Sequence, residues 1–306
     1  RLLLEDIRVL QPGGEALVTV PEARLAFDPA SVLAGRPALR SLRLIGPRVA
    51  VRRLADGRFD IRFGGQRPLP QFASVAEALA FAEALFAQPG LAALRRVEAE
   101  GLSLVFDDRR GGRVWQMGDG RLSFENRADA LALGVGLSLV GGGDAPAQAR
   151  LTLVSFKASA EARLSLGVDG VAAGDIATQA PALAWLGLID APISGSFFSS
   201  IDAEGSLGAL DARLEVAQGA LRPGIGAPPV AFDRAGLSFS VDATRERIDL
   251  NEMTVESPSL RLAAAGHAYL PGIGEGVPQT ILGQITLSQV RVEPEGLFDA
   301  PAEFSG

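Results

Sequence analysis

Three residue types are missing or nearly missing from this chain of 306 residues. It has no cysteine, one histidine (His267) and one lysine (Lys157). Disulfides, iron–sulfur clusters, catalytic thiols and zinc sites built from cysteine and histidine are therefore excluded within these residues. Lys157 follows Phe156 rather than glycine, and no Gly-x-Gly-x-x-Gly string occurs, so the two common phosphate-binding loops are absent as well.

The chain also lacks an excess of positive charge. It carries 29 Lys plus Arg against 36 Asp plus Glu, a formal net charge of -7. A protein that binds nucleic acid through phosphate contacts needs a basic face, so we expect no nucleic-acid partner. Aromatic residues make up only 6% of the chain, and most are phenylalanine, which disfavours a stacking platform for bases or sugars.

Long hydrophobic runs are missing too, although 47% of the residues are hydrophobic. A membrane-spanning helix needs about 20 apolar residues in succession. The two longest apolar stretches, Leu131–Val140 and Ala180–Leu188, are shorter and are bounded by Gly, Asp or Pro. The chain starts at Arg1 without a charged leader, and both ends fall inside patterned sequence, so we expect an excised piece of a longer protein.

What the sequence does have is a strict alternation of apolar and polar residues in short runs separated by Gly, Pro or Asp. Side chains in a strand point alternately to opposite faces, so each run predicts a strand with one apolar and one polar face. The clearest runs have their apolar residues at positions 102 and 104, 122 and 124, 151 and 153, 164 to 168, 237 to 241, 260 and 262, and 285 and 287.

Helical signals are few. The strongest predicts a helix near residues 72–88, where Ser74 and Glu77 have the spacing of a capping box and Pro89–Gly90 supplies the end. Shorter helices are predicted at Ala30–Leu33 and at Pro181–Leu188. Turns are predicted at glycine-containing pairs, among them Asp119–Gly120.

These patterns predict a mainly β protein: a long, curved antiparallel sheet, rolled or trough-like, with a few short helices. We divide the chain into an amino-terminal strand–helix–strand unit at residues 1–70, a helical segment at 71–95 and an antiparallel meander at 96–306. With so many strands the sheet must curve, because flat sheets of that size are rare.

No motif points to catalysis. A serine hydrolase would need His267 as its base, but no Gly-x-Ser-x-Gly elbow is present, and His267 sits in a strand-like run. Pairs of carboxylates occur at Asp107 and Asp108, at Glu98 and Glu100, and at Glu246 and Asp249, without the spacing of a known acid–base or calcium site. We interpret them as solvated charges, and we expect no catalytic residue, no metal and no cofactor.

A resemblance to a known family rests on the pattern of strands and turns in several segments rather than on one motif. They include Leu3–Leu10, Gly13–Leu25, Leu42–Val49, Asp56–Phe59, Ala191–Ser196 and Gly205–Leu207. In these segments and in the strand–turn patterns that follow, the chain resembles the AsmA-like proteins, and most of all their YhdP-type members.

The resemblance implies a function. Such proteins of Gram-negative bacteria are anchored in the inner membrane by an amino-terminal helix and extend through the periplasm as a rolled sheet with an apolar inside. They are implicated in moving phospholipid to the outer membrane and in keeping that membrane a barrier. On this basis we expect a periplasmic segment that binds or conducts phospholipid, with acyl chains and the two membranes as partners and no enzymatic activity.

The residues themselves leave two possibilities open. The apolar side of the alternating strands can line an open groove for acyl chains or a closed core. If it lines a groove, the candidate contacts are the apolar positions of the clearest runs: Leu164, Leu166, Val168, Leu237, Phe239, Val241, Leu260 and Leu262. The alternative function is a periplasmic scaffold that receives a protein partner at an exposed strand edge by β-augmentation.

Overall fold

The fold is described from a computed structural model. It covers residues 2–10, 16–55, 58–63, 75–88, 91–109, 112–140, 147–159, 161–177, 186–203, 208–222, 228–242, 244–258, 260–271, 280–292 and 302–305. These residues form twenty strands and three short helices, which confirms a mainly β fold. Hydrogen bonds assign seventeen strands to one large sheet and three to a small second sheet.

The chain divides into two compact units by its internal contacts. The first comprises Arg1–Gly141, Pro146–Leu164 and Ile201–Ser206, and the second comprises Gly142–Ala145, Ser165–Ser200 and Leu207–Gly306. The domain boundaries predicted near residues 70 and 95 stay predictions.

The first unit holds nine complete strands, two helices and the start of a tenth strand. In chain order they are β1 (Leu2–Leu10), β2 (Ala16–Phe27), α1 (Pro29–Leu33), β3 (Leu39–Ile45), β4 (Arg48–Arg53), β5 (Phe59–Phe63), α2 (Val75–Ala87), β6 (Arg96–Asp108), β7 (Arg113–Asn126), β8 (Ala130–Val140), β9 (Ala147–Phe156) and β10 (Ala162–Ala172).

The second unit holds the rest of β10, one helix and ten further strands, apart from Ile201 at the end of β12. They are α3 (Ala173–Ala177), β11 (Ile189–Asp190), β12 (Pro192–Ile201), β13 (Leu210–Val216), β14 (Gly219–Leu221), β15 (Val230–Phe232), β16 (Arg234–Asp242), β17 (Arg247–Glu256), β18 (Leu260–Tyr269), β19 (Leu282–Val292) and β20 (Ala302–Ser305).

In the first unit the sheet is mixed rather than purely antiparallel, which corrects the expected topology. β1, β2 and β3 pair antiparallel, and so do β6, β7, β8 and β9, but β3 and β4 both run parallel to β6. A parallel pair needs a long crossover connection, often with a helix. Here α2 lies in the segment between β5 and β6.

A break at Gly46 lets β3 and β4 share one neighbour. β3 pairs with residues 96–100 of β6, and β4 pairs with residues 103–108 of the same strand. Gly46 and Gly101 lie opposite each other at the break and have φ angles of +68° and +63°, a conformation that residues with a side chain rarely adopt. The amide of Gly46 still donates a hydrogen bond to the carbonyl of Glu100, at 2.9 Å, so the sheet continues across the break.

In the second unit, β12, β13, β16, β17, β18, β19 and β20 pair antiparallel in that order. The second sheet continues three of these strands past a bend. β11 directly precedes β12, β14 follows β13, and β15 precedes β16, and the three short strands keep the same neighbours. Gly219 is required at the bend, because a Cβ there would lie 2.3 Å from the carbonyl oxygen of Asp190.

The helices agree with the sequence where they are described. α1 confirms the helix predicted at Ala30–Leu33, and α2 lies inside the range predicted at 72–88, although Ser74, Pro89 and Gly90 are outside the described residues. Of the helix predicted at Pro181–Leu188, residues 181–185 are outside the described part, and 186–188 form a 3₁₀ turn. α3 was not predicted.

The turn predicted at Asp119–Gly120 is wrong. Both residues lie inside β7, at a bulge where the register shifts against β6 and β8. Asp119 has a φ angle of +48°. A bulge uses the same left-handed conformation as a tight turn, so the same residue types mark both.

No helix among the described residues has the length and apolar character needed to cross a membrane.

Candidate functional site

One side of the sheet in the second unit is built from apolar residues and glycine, except for Ser199 near the end of β12. Residues that pair directly on neighbouring strands share a face, so the register identifies this side across six strands. We call it the apolar face; it consists of Ile193, Gly195, Phe197, Leu210, Ala212, Leu214, Val216, Ala235, Leu237, Phe239, Val241, Ile248, Leu250, Met253, Val255, Leu260, Leu262, Ala264, Gly266, Ala268, Gly283, Ile285, Leu287, Val290 and Val292.

Rows of side chains run across the strands of this face. One row passes from Leu214 through Leu237, Met253 and Ala264 to Leu287. Bulges in β17 and β19 each add a residue, but the apolar positions return to the same side after each bulge. The alternation in the sequence therefore becomes a continuous apolar surface, to which Ser199 on β12 is an exception.

Burial of the apolar face falls from its first strands to its last. On β12 and β13, Ile193 is 0% exposed and Leu214 is 1% exposed. Most apolar-face residues of β16, β17 and β18 are half-buried. On β19, Leu287 is 49% exposed and Ile285 is 64% exposed. A closed core would bury these side chains as it buries Leu214, so the face is covered at one side and open to solvent at the other.

The bend into the second sheet lies at the covered side. It follows the ends of β12, β13 and β16 that carry Ile193 and Val216, both of which are buried. Phe232 on β15 and Leu186 just before β11 are buried as well. The apolar face is therefore packed where the strands bend.

The opposite side of the same strands is mostly polar and carries ion pairs, although Phe198 and Leu282 are also exposed there. Arg234 holds both carboxylate oxygens of Glu256 at 2.8 Å, and Arg247 donates to Asp249 and, at 3.1 Å, to the hydroxyl of Tyr269. The hydrogen bonds from Arg247 and Arg234 hold the pKa of the Asp249 and Glu256 carboxyls below their usual range. The sheet therefore has one mostly polar side and one apolar side.

These ion pairs predict how stability depends on pH. Because the carboxyl pKa values are lower in the folded protein than in the unfolded chain, the ion pairs contribute stability above the ordinary value of about 4. That contribution is lost as the pH falls from there through the folded values. We expect the urea concentration at the unfolding midpoint to decrease as the pH is lowered below about 4. Arg234→Gln should reduce this dependence on pH. Arg213→Gln, on the same polar side, is the control; equal slopes in the two variants would contradict the assignment.

The first unit has an apolar side of its own. Two rows run over β2, β3, β6, β7, β8 and β9 and contain Ala23, Leu44, Ala99, Leu122, Val135 and Leu151, and Leu25, Leu42, Val97, Phe124, Leu133 and Leu153. Helix α2 lies against this side, because the rings of Phe86 and Phe124 stack with centroids 4.4 Å apart and an angle of 16° between them. A helix thus covers part of the apolar side in this unit.

The predicted groove residues fall into two groups. Leu237, Phe239, Val241, Leu260 and Leu262 all belong to the apolar face, so the structure brings these five together on one side of β16 and β18. Leu164, Leu166 and Val168 alternate along β10 and are half-buried. Their role as lipid contacts stays a prediction for all eight.

The residues most open to solvent on the apolar face are not among those predicted. Ile285 and Leu287 belong to an alternating run that was recognised as a strand, so the signal was present. The sequence pattern gives no information on solvent exposure. It shows on which side of the strand a residue lies, but not whether another element covers that side.

Asp107 and Asp108, two of the carboxylates named from the sequence, each lie beside an arginine. Asp107 accepts hydrogen bonds from Arg52 at 2.9 Å and from Arg109 at 3.0 Å. Its neighbour Asp108 is buried and has Arg53 at 3.9 Å. As consecutive residues of one strand, the two aspartates point to opposite faces.

The other candidates lie on polar sides. Arg43 bridges Glu98 and Glu100, and Arg247 binds Asp249. His267 lies on β18 opposite Asp249, with its ring 5.9 Å from that of Tyr269 in an edge-to-face arrangement. Within the described ranges, no cluster of three or more His, Asp or Glu side chains has the arrangement of a metal site.

Comparison of the chain with models of protein families, with curated proteins and with solved structures gives no match. The resemblance to the AsmA-like proteins therefore stays a prediction.

Proposed function

We propose that this chain binds phospholipid acyl chains on the apolar face of its sheet, as a segment of a periplasmic, inner-membrane-anchored protein that conducts phospholipid between the inner and outer membranes. The observation that supports acyl binding is the apolar face itself: six paired strands whose side chains on this side are apolar or glycine except for Ser199 on β12, left open to solvent towards β19. A folded protein rarely exposes a contiguous apolar surface of this kind unless it binds something there.

The composition of the apolar face favours acyl chains over a compact polar ligand. Recognition of a small polar molecule needs a few polar groups that orient it. The apolar face offers no charged group, and the hydroxyl of its polar exception, Ser199, donates to the carbonyl of Gly208 at 3.4 Å, so the face suits an apolar ligand without directional contacts. The side of the same strands opposite the apolar face is mostly polar and is therefore solvated. The resemblance described above supports the periplasmic location and the role in outer-membrane integrity.

The test is to identify what the protein carries. The chain is purified in mild detergent and examined by native mass spectrometry, followed by solvent extraction and a transfer assay with fluorescent phospholipid between vesicles. We expect bound phospholipid, because the open strands would otherwise face water. Protein that is free of lipid and takes none up from vesicles would contradict the proposal.

The second candidate function, a scaffold that binds a protein by β-augmentation, is favoured by one strand edge. β20 pairs with residues 289–292 of β19, and residues 282–288 pair only with β18 within the described chain. Such an edge offers backbone hydrogen bonds to an added strand. Crosslinking from residue 284 in cells separates the two functions, because a scaffold captures a protein and a lipid carrier captures lipid.

A further inference from the structure

The connection between β2 and β3 presents apolar side chains to solvent instead of burying them. It contains the short helix α1, in which no residue is buried. Leu33 is 90% exposed and Val32 is 51% exposed. We call residues 28–40 the hairpin tip. An isolated exposed leucine is ordinary, but two adjacent branched side chains at the end of a hairpin form a small apolar wedge.

The hairpin tip is held in this conformation by its own hydrogen bonds. The Asp28 carboxylate accepts from the amide of Ser31 at 3.0 Å, and the Ser31 hydroxyl donates to the carbonyl of Asp28 at 2.7 Å. That same hydroxyl accepts from the amide of Ala38 at 2.9 Å, and the amide of Asp28 donates to the carbonyl of Ala38. These hydrogen bonds close the loop at its base, so the conformation that exposes Leu33 is an ordered one.

The charge around the wedge is positive, in contrast to the acidic chain. Arg36 and Arg40 lie in the hairpin tip, and the amide of Arg95 donates to the carbonyl of Arg40 at 2.8 Å, which brings a third arginine to this end of β3. All three are exposed, and among the described residues none of them has a side-chain ion pair. The one acidic residue of the tip, Asp28, serves as the helix cap.

We propose that the hairpin tip docks on the surface of a lipid bilayer that carries anionic headgroups, with Leu33 and Val32 entering the interface and Arg36, Arg40 and Arg95 facing the headgroups. A stable protein–protein interface buries about 1,200 to 2,000 Å², far more than two side chains supply. A bilayer surface needs only a small apolar wedge and nearby cations for reversible binding. This docking is separate from acyl binding on the apolar face.

The test uses sedimentation with vesicles of equal parts phosphatidylcholine and phosphatidylglycerol, and with vesicles of phosphatidylcholine alone. We expect the whole chain to bind the anionic vesicles more tightly, and the difference to shrink in high salt. Leu33→Ser should weaken binding about tenfold. Arg36→Gln and Arg40→Gln should each weaken it about fivefold at low salt. Val114→Ser is the matched control, because Val114 is also exposed, at 63%, and lies outside the hairpin tip.

Each other outcome decides against the proposal. Vesicle binding by Leu33→Ser equal to that of the wild type, an equal loss in Val114→Ser, or no binding by the wild type would overturn it. A change in oligomeric state by Leu33→Ser without a change in vesicle binding would instead assign the tip to contact with a second copy. Phospholipid that copurifies with the protein is measured in parallel. It should be unchanged in the hairpin-tip variants, so a failure of docking and a failure of acyl binding are told apart.

Discussion

Ile285→Asp or Leu287→Asp should lower the amount of phospholipid that we expect to copurify with the protein by at least tenfold, without unfolding it. Both side chains extend the rows of the apolar face at its open side, next to Gly266 and Ala264. A carboxylate there would lose its water when an acyl chain covers it, which costs several kcal/mol. Because the two side chains are already 64% and 49% exposed, the cost to folding should stay near the ~0.5 kcal/mol of a surface substitution.

Thr286→Asp is the matched control for this experiment. Thr286 lies between the two positions on the same strand, is exposed, and points to the polar side. Extraction and lipid mass spectrometry on the three purified variants give the comparison, with circular dichroism as the check on folding. If Thr286→Asp loses as much lipid as Ile285→Asp, the face does not determine binding, and the scaffold function becomes the better explanation.

The second large effect is expected at the covered side of the same face. Leu214 is 1% exposed between Leu237 and Gly195. Leu214→Ala should lower the free energy of unfolding by about 2 to 5 kcal/mol, because it removes buried methyl groups and leaves a cavity. Leu214→Asp should prevent folding of the second unit, since it places a charge among apolar side chains.

Urea unfolding followed by circular dichroism measures both variants. Glu215→Ala is the control, because Glu215 is the next residue of β13, is exposed and points to the polar side. A Leu214→Ala effect as small as that of Glu215→Ala would show that the face is uncovered along its whole width. The same reasoning applies to Phe239, which is 8% exposed beside Ala212 and Leu250. A charge at Phe239 should unfold the unit and would not report on lipid.

The strands and their two sides could be predicted from the sequence. The alternation at Leu237, Phe239 and Val241 places these residues on one side of β16, because strand geometry is local and has a period of two residues. The helices α1 and α2 follow from local signals in the same way. The AsmA-like family, the lipid and the location depend on a resemblance and remain proposals.

Properties that depend on residues far apart in the chain could not be predicted. The parallel pairing of β3 and β4 with β6 joins residues 55 positions apart, such as Arg52 and Asp107. The second sheet consists of strands of two or three residues, too short for a periodic pattern. Exposure of Ile285 depends on what packs over β19, which no local pattern describes. The side of each residue was predictable, but its burial was not.

The rows of the apolar face cross the strands. The length of the face perpendicular to the strands is therefore set by the number of paired strands. Neighbouring strands are about 4.8 Å apart, so six strands carry a row over about 24 Å. Gain or loss of one hairpin would change that reach by about 10 Å while strand length, and with it the breadth of the face, stayed the same. Duplicating or deleting hairpins would therefore lengthen or shorten the apolar face without redesign of the surface that each strand adds.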